Sequence, residues 1–150
     1  GLHGVTVGAA DSTAVFISNR TGVWRSRDRG ANWDNLKFEN FTDIFYSRGV
    51  ETAPDNPDTL YACVGLNFGS KQGGVMRSTN QGDTWERFDK GIKPLSTTFG
   101  VSINEHAPEQ VYFCTREGEV FGTRDGGDTW SSHALPEIAG SVKAIACASA

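Results

Sequence analysis

One pattern, S/T-x-D/N-x-G-x-x-W, occurs three times in this chain of 150 residues, at 26–33, 78–85 and 123–130. The tryptophans Trp33, Trp85 and Trp130 lie 52 and 45 residues apart. Self-similarity at such a period means stacked units, each too small to bury its own core. Every copy sits between an apolar run and a second strand-like run, which is the signature of a β-hairpin. Asp28, Asn80 and Asp125 are placed to accept backbone N–H groups of their own turn. Gly30, Gly82 and Gly127 supply the φ > 0 geometry of a tight turn. Trp33, Trp85 and Trp130 each offer a large ring to bury just beyond it. These nine residues read as structural, because nothing in the turn requires a substrate.

The repeated turn resembles the Asp-box, or bacterial neuraminidase repeat, of β-propellers. Sialidases, xyloglucanases, sortilin-type receptors and photosystem II assembly factors carry it. The resemblance implies an all-β fold, here a partial propeller of three four-stranded blades plus one extra strand. It names a fold element shared by unrelated functions, so activity must be argued separately. The blades are expected at residues 3–38, 49–89 and 100–135, and the extra strand at 141–147. Within each blade, turn residues such as Asp11-Ser12-Thr13 and Pro54-Asp55-Asn56-Pro57 separate short strands A to D. The fourth strand, D, is expected at 33–38 in the first blade. An insertion at 66–73 lengthens the second blade. Cys63 and Cys114 occupy matching places, where the first blade has Ser18. They read as small core residues and not as a disulfide.

Three blades cannot close a ring, since propellers use about four to eight. The chain therefore looks like the C-terminal part of a larger propeller, its last strand meant for a blade not included. Assembly of copies into a closed ring is the other solution. Missing blades or copies of itself are the expected partners. A net charge of −4 and pI of about 5.3 argue against nucleic acid. No apolar run approaches the ~18 residues of a membrane span. No metal-type Cys/His spacing occurs, and no cofactor or metal is expected.

The propeller resemblance implies that A strands line the axis and that D–A and B–C loops share one face. Ligands would bind there, remote from the repeated turns. Aligning the A strands puts His3, Arg48, Phe99 and Gly140 in one column at that mouth, and Thr6, Glu51, Ser102 and Lys143 in another. Phe45 and Tyr46 come from the adjoining loop. His3, Arg48, Glu51, Phe45 and Tyr46 are thus the candidate ligand residues, suited to a carbohydrate or a protein ligand. The plainer alternative is inter-blade packing around an Arg48–Glu51 ion pair. Sialidases also need an arginine triad, an acid/base carboxylate and a Tyr–Glu pair, and their Phe/Tyr-Arg-Ile-Pro motif is absent. Asp43 and Glu51 could form a pair of glycosidase carboxylates. The reading is therefore a non-catalytic scaffold or binding module. The alternative is part of a glycoside hydrolase whose catalytic residues lie partly outside this chain.

Overall fold

The computed structural model describes residues 1–8 and 13–148, and the expected turn at Asp11-Ser12 lies outside them. Twelve strands form three four-stranded antiparallel sheets. The first sheet is β1 (Leu2–Val7), β2 (Val15–Asn19), β3 (Gly22–Ser26) and β4 (Asp34–Asn35). The second is β5 (Tyr46–Thr52), β6 (Leu60–Gly65), β7 (Gly73–Ser78) and β8 (Glu86–Arg87). The third is β9 (Thr98–Ile103), β10 (Val111–Thr115), β11 (Glu119–Thr123) and β12 (Ser131–Ala134). Sequential strands are neighbours in every sheet. First strands also meet across sheets, β1 beside β5 and β5 beside β9. The arrangement is a partial, unclosed propeller.

The period-2 alternation of a strand sends successive side chains to opposite faces, and the middle sheet uses both. Leu60, Ala62 and Val64 of β6 join Phe16, Val23, Phe38 and Val50 in one core between the first two sheets. Tyr61 and Cys63 of the same strand join Val75, Val101, Val111 and Phe113 in a second core. All six residues of β6 are buried for this reason. The first sheet turns Val5 and Val7 outward instead, 66% and 55% exposed.

Each repeated turn is closed by its own side chains. In the first, Asp28 Oδ1 accepts from Ser26 Oγ and from the Asn32 N–H, each at 2.8 Å, and Ser26 Oγ accepts from the Gly30 N–H at 2.7 Å. Asn80 and Asp125 repeat this geometry with Ser78 and Thr123. Two successive residues are left-handed in every copy: Arg29 and Gly30, Gln81 and Gly82, Gly126 and Gly127. The sequence pattern marks only the second of each pair.

The tryptophans pack backwards. Trp85 stacks edge-on against Phe38 of the preceding sheet at 4.6 Å and is 5% exposed. Trp130 meets Phe88 at 5.4 Å. Trp33 has no preceding sheet within this chain and is half-buried. Arg25 adds a staple, donating to Gln81 O at 2.8 Å and Asp83 Oδ1 at 2.7 Å in the next turn.

Three expectations are corrected. The D strands of the first two sheets have two residues each, not six as expected at 33–38. Lys37 adopts a left-handed φ of 54°, and a 3-10 turn at Phe38–Asn40 follows, driving Phe38 into the core. First strands start earlier than expected, at Leu2, Tyr46 and Thr98, because each continues through a bulge. The segment 141–147 forms no strand ladder among the described residues. It lies beside β9, where a Cβ on Gly100 would sit 3.2 Å from Ala144 Cα, and Cys147 N–H donates to Ser102 Oγ at 2.8 Å. In the three sheets each A strand pairs with its own B strand, and among the described residues no B strand pairs with 141–147.

Cys63 and Cys114 are free, buried thiols. Burial pushes the Cys63 pKa well above its ordinary value and that of Cys114 up to about 11. Raised in this way, both stay in the thiol form, the poorer nucleophile, at neutral pH.

Candidate ligand site at the axial mouth

The bulges place the site. In the first sheet Leu2 pairs with Asn19 and Gly4 with Ser18, so His3 is left over. In the second Ser47 pairs with Val64 and Gly49 with Cys63, leaving Arg48. In the third Thr98 pairs with Thr115 and Gly100 with Cys114, leaving Phe99. A bulge re-aims one side chain and recurs beside functional sites. Here three sheets place it at one level, where the A strands enter. The antiparallel order puts the repeated turns at the opposite end of the sheets.

His3 Nδ1 donates to the Ser47 carbonyl at 2.8 Å, which leaves Nε2 as the lone-pair nitrogen of the neutral ring. Its ring lies 5.2 Å from that of Tyr46. Arg48 Nη1 reaches Tyr46 Oη at 3.4 Å. The Arg48 guanidinium rests on the ring of Phe99 at 4.7 Å and on that of Phe68 at 5.5 Å. Arg116 meets Phe68 at 5.1 Å. Phe68 rides on the 66–73 insertion, which is tied down at its base. Asn67 O accepts from Thr97 Oγ1 at 2.5 Å, and Ser70 Oγ lies 3.0 Å from the same hydroxyl. A fixed loop therefore holds a phenyl ring that is 49% exposed.

Of the five candidate residues, His3, Tyr46 and Arg48 come together. Glu51 lines an axial cleft of about 190 Å³ with His3, Arg48, Phe99 and Lys143, but no Arg48–Glu51 ion pair forms among the described residues. Glu51 keeps contact with solvent, yet protein packed along its inner side raises its pKa above the usual carboxylate value. Phe45 is exposed, with no ring contact to Tyr46 or Arg48. Asp43 lines a different cleft, of about 260 Å³, with Arg87 and Lys93. Asp43 and Glu51 therefore do not face one bond as glycosidase carboxylates must.

Three contributors were not among the candidates. Phe99 stood in the same alignment column as His3 and Arg48, and Phe68 in the insertion on the same face, so both left a signal. Arg116, in a short turn, left none. Another cleft, of about 490 Å³ around Tyr112, Val120, Arg124 and His133, lies on the outward face of the third sheet.

Residues 73–147, half of the chain, match the Sortilin-Vps10 family model (sortilin, neurotensin receptor 3). A xyloglucanase of Paenibacillus sp. is 29% identical over 123 residues, covering 73% of this chain and 12% of that protein. The GH74 enzyme of Niastella koreensis superposes with a TM-score of 0.71 at 19% identity, over 88% of this chain and 22% of that one. YCF48 from Cyanidioschyzon merolae gives a TM-score of 0.65 at 19% identity, over 87% of this chain and 39% of that one. At these identities the solved structures share the fold. The chain thus spans a small part of the proteins it resembles. Those likenesses place it among glycoside-hydrolase and binding folds without assigning it a catalytic residue.

Proposed function

The chain belongs to the Sortilin-Vps10 family, and from that premise we propose that it is three Asp-box blades of a larger propeller of the glycoside-hydrolase kind. Its axial mouth is one wall of a carbohydrate-binding cleft. The observation that carries this reading is the convergence of Tyr46, Arg48, Phe68 and Phe99 at one mouth through bulges and an anchored loop. Aromatic faces with a few fixed polar groups suit a sugar ring, burying its apolar face while orienting its hydroxyls. The xyloglucanase relative supports the same substrate class. Asp43 and Glu51 line separate clefts, so the acid and base of a hydrolase would come partly from outside this chain. In this reading the repeated turns carry stability and the mouth carries binding.

Calorimetric titration of the chain with xyloglucan oligosaccharides tests it. Tyr46→Ala and Phe68→Ala should each weaken binding by about tenfold, the loss of roughly 1.4 kcal/mol of ring contact. Thr129→Ala, at the far end, should bind as the parent does. Parent-like binding by both mouth variants would refute the reading. Release of reducing ends by the larger protein then separates a hydrolase from a non-catalytic binding module, which would bind at the same mouth without turnover.

A further inference from the structure

Arg48 stands apart from the other half-buried or buried arginines. Arg25 pairs with Asp83 at 2.7 Å, Arg77 with Glu86 at 2.7 Å, and Arg87 with Asp89 at 2.7 Å. Arg116 lies 3.7 Å from Glu117. Arg48 has no carboxylate within ion-pair distance among the described residues. Its one polar contact there is the long bond to Tyr46 Oη. Two phenyl rings support the guanidinium, so its orientation is fixed while most of its five donors stay unused. Holding a cation this way, partly out of water and unpaired, stores affinity for an incoming anion. A guanidinium fork matches a carboxylate with two parallel hydrogen bonds.

The surrounding charges point the same way. Lys143 lines the axial cleft, and Arg116 faces Phe68 with Lys71 and Arg116 both beside Glu117, while Glu51 is the one acid lining that cleft among the described residues. A chain of net charge −4 thus carries a locally cationic mouth. Such a concave site focuses its field on an anionic ligand.

We infer that the mouth reads a carboxylate through Arg48, and that the sugar it takes is a uronic acid unit rather than a neutral hexose. This rests on the carbohydrate reading above and narrows its substrate class. The exposed Phe68 ring and the half-buried Tyr46 ring stand beside the guanidinium as an aromatic shelf, which fits a pyranose bearing one carboxylate. An acidic peptide would use the charge and leave the shelf idle.

The test is titration of the full 150-residue chain at low ionic strength with trigalacturonate, its methyl ester, a neutral xyloglucan oligosaccharide and pentaglutamate. Trigalacturonate should bind about tenfold tighter than its ester, the scale of one charge-assisted contact. Added salt should shrink that preference, and Arg48→Gln should abolish it. Arg48→Lys, which keeps the charge but not the fork, should retain part of it. Circular dichroism of both variants checks that the fold survives. Equal binding of acid and ester, or a preference that persists in Arg48→Gln, would overturn the inference and leave the carbohydrate reading standing. Failure of every sugar to bind would overturn both. Tighter binding of pentaglutamate than of trigalacturonate would overturn the uronate assignment in favour of an acidic peptide.

Discussion

Trp85→Ala and Trp33→Ala delete the same ring from the same turn, yet they should differ severalfold in cost. Trp85 is 5% exposed and sits in the first core with Phe16, Leu36 and Phe38. A buried indole removes ~200 Å² from water, worth ~5 kcal/mol at ~25 cal/mol per Å². Its edge-on contact with Phe38 at 4.6 Å adds ~1 kcal/mol. The bond from Nε1 to Gly82 O at 2.9 Å adds a similar net amount. Partial collapse of the cavity offsets part of this sum, so Trp85→Ala should cost ~4 kcal/mol, within the measured range for buried aromatics. Trp33 also bonds to its own glycine, Gly30 O at 3.0 Å, but no preceding sheet covers its ring. Half the burial and no aromatic partner give ~1–2 kcal/mol for Trp33→Ala. Urea denaturation followed by far-ultraviolet circular dichroism measures both, with equal m-values required for the comparison. Trp85→Phe serves as the milder variant if Trp85→Ala leaves too little folded protein. Costs within ~0.5 kcal/mol of each other would refute the reasoning, since the ring would then act through its own turn and not through the neighbouring sheet.

Ser18 Oγ is buried without a hydrogen-bond partner among the described residues, at the place where the other sheets carry Cys63 and Cys114. Ser18→Cys should therefore raise stability by ~1 kcal/mol in the same denaturation assay, with Gly4 leaving room as Gly49 and Gly100 do in their sheets. Asp28, whose pKa is lowered from 3.8 to about 2 chiefly by the Asn32 side chain, and Asp125, lowered chiefly by Thr129, are depressed carboxylates. Their contribution is complete above the ordinary aspartate pKa and is lost as pH falls below it, for Asp28 toward about 2, so Asp28→Asn with Asp125→Asn should flatten the acid limb of a stability–pH curve. Asn80 already makes the same turn with an amide, so the double variant should remain folded at neutral pH. Val5 and Val7 leave an apolar sheet face in water, and light scattering of the isolated chain at micromolar concentration should show association. A sharp monomer peak with concentration-independent unfolding would contradict that expectation.

The repeated turns were legible because their chemistry is local. Asp28 meets Ser26 and Asn32 within one short segment, so residue types at fixed spacing suffice to specify the bonds. Matching positions likewise marked Cys63 and Cys114 as core. The candidate site was legible only in outline. The column of His3, Arg48 and Phe99 was visible as a coincidence of alignment, without the bulges that make it a site.

What the amino-acid sequence determined by itself is the unit: a hairpin closed by an Asp or Asn, a left-handed glycine and a tryptophan, repeated three times. Tertiary structure decided what the units do to one another. Arg48 could have paired with Glu51 on its own strand, and the sequence favours neither that carboxylate nor the rings of Phe68 and Phe99. Stacking of the second and third sheets brings Phe99, from 51 positions away, beneath the guanidinium, and Thr97 pins the loop that carries Phe68. Segment 141–147 has the composition of a strand, but a strand exists only where a second backbone accepts its hydrogen bonds. Turns are set by neighbours in sequence, whereas pairing, stacking and the aim of a bulge are set by distances between sheets, which no short stretch of sequence encodes.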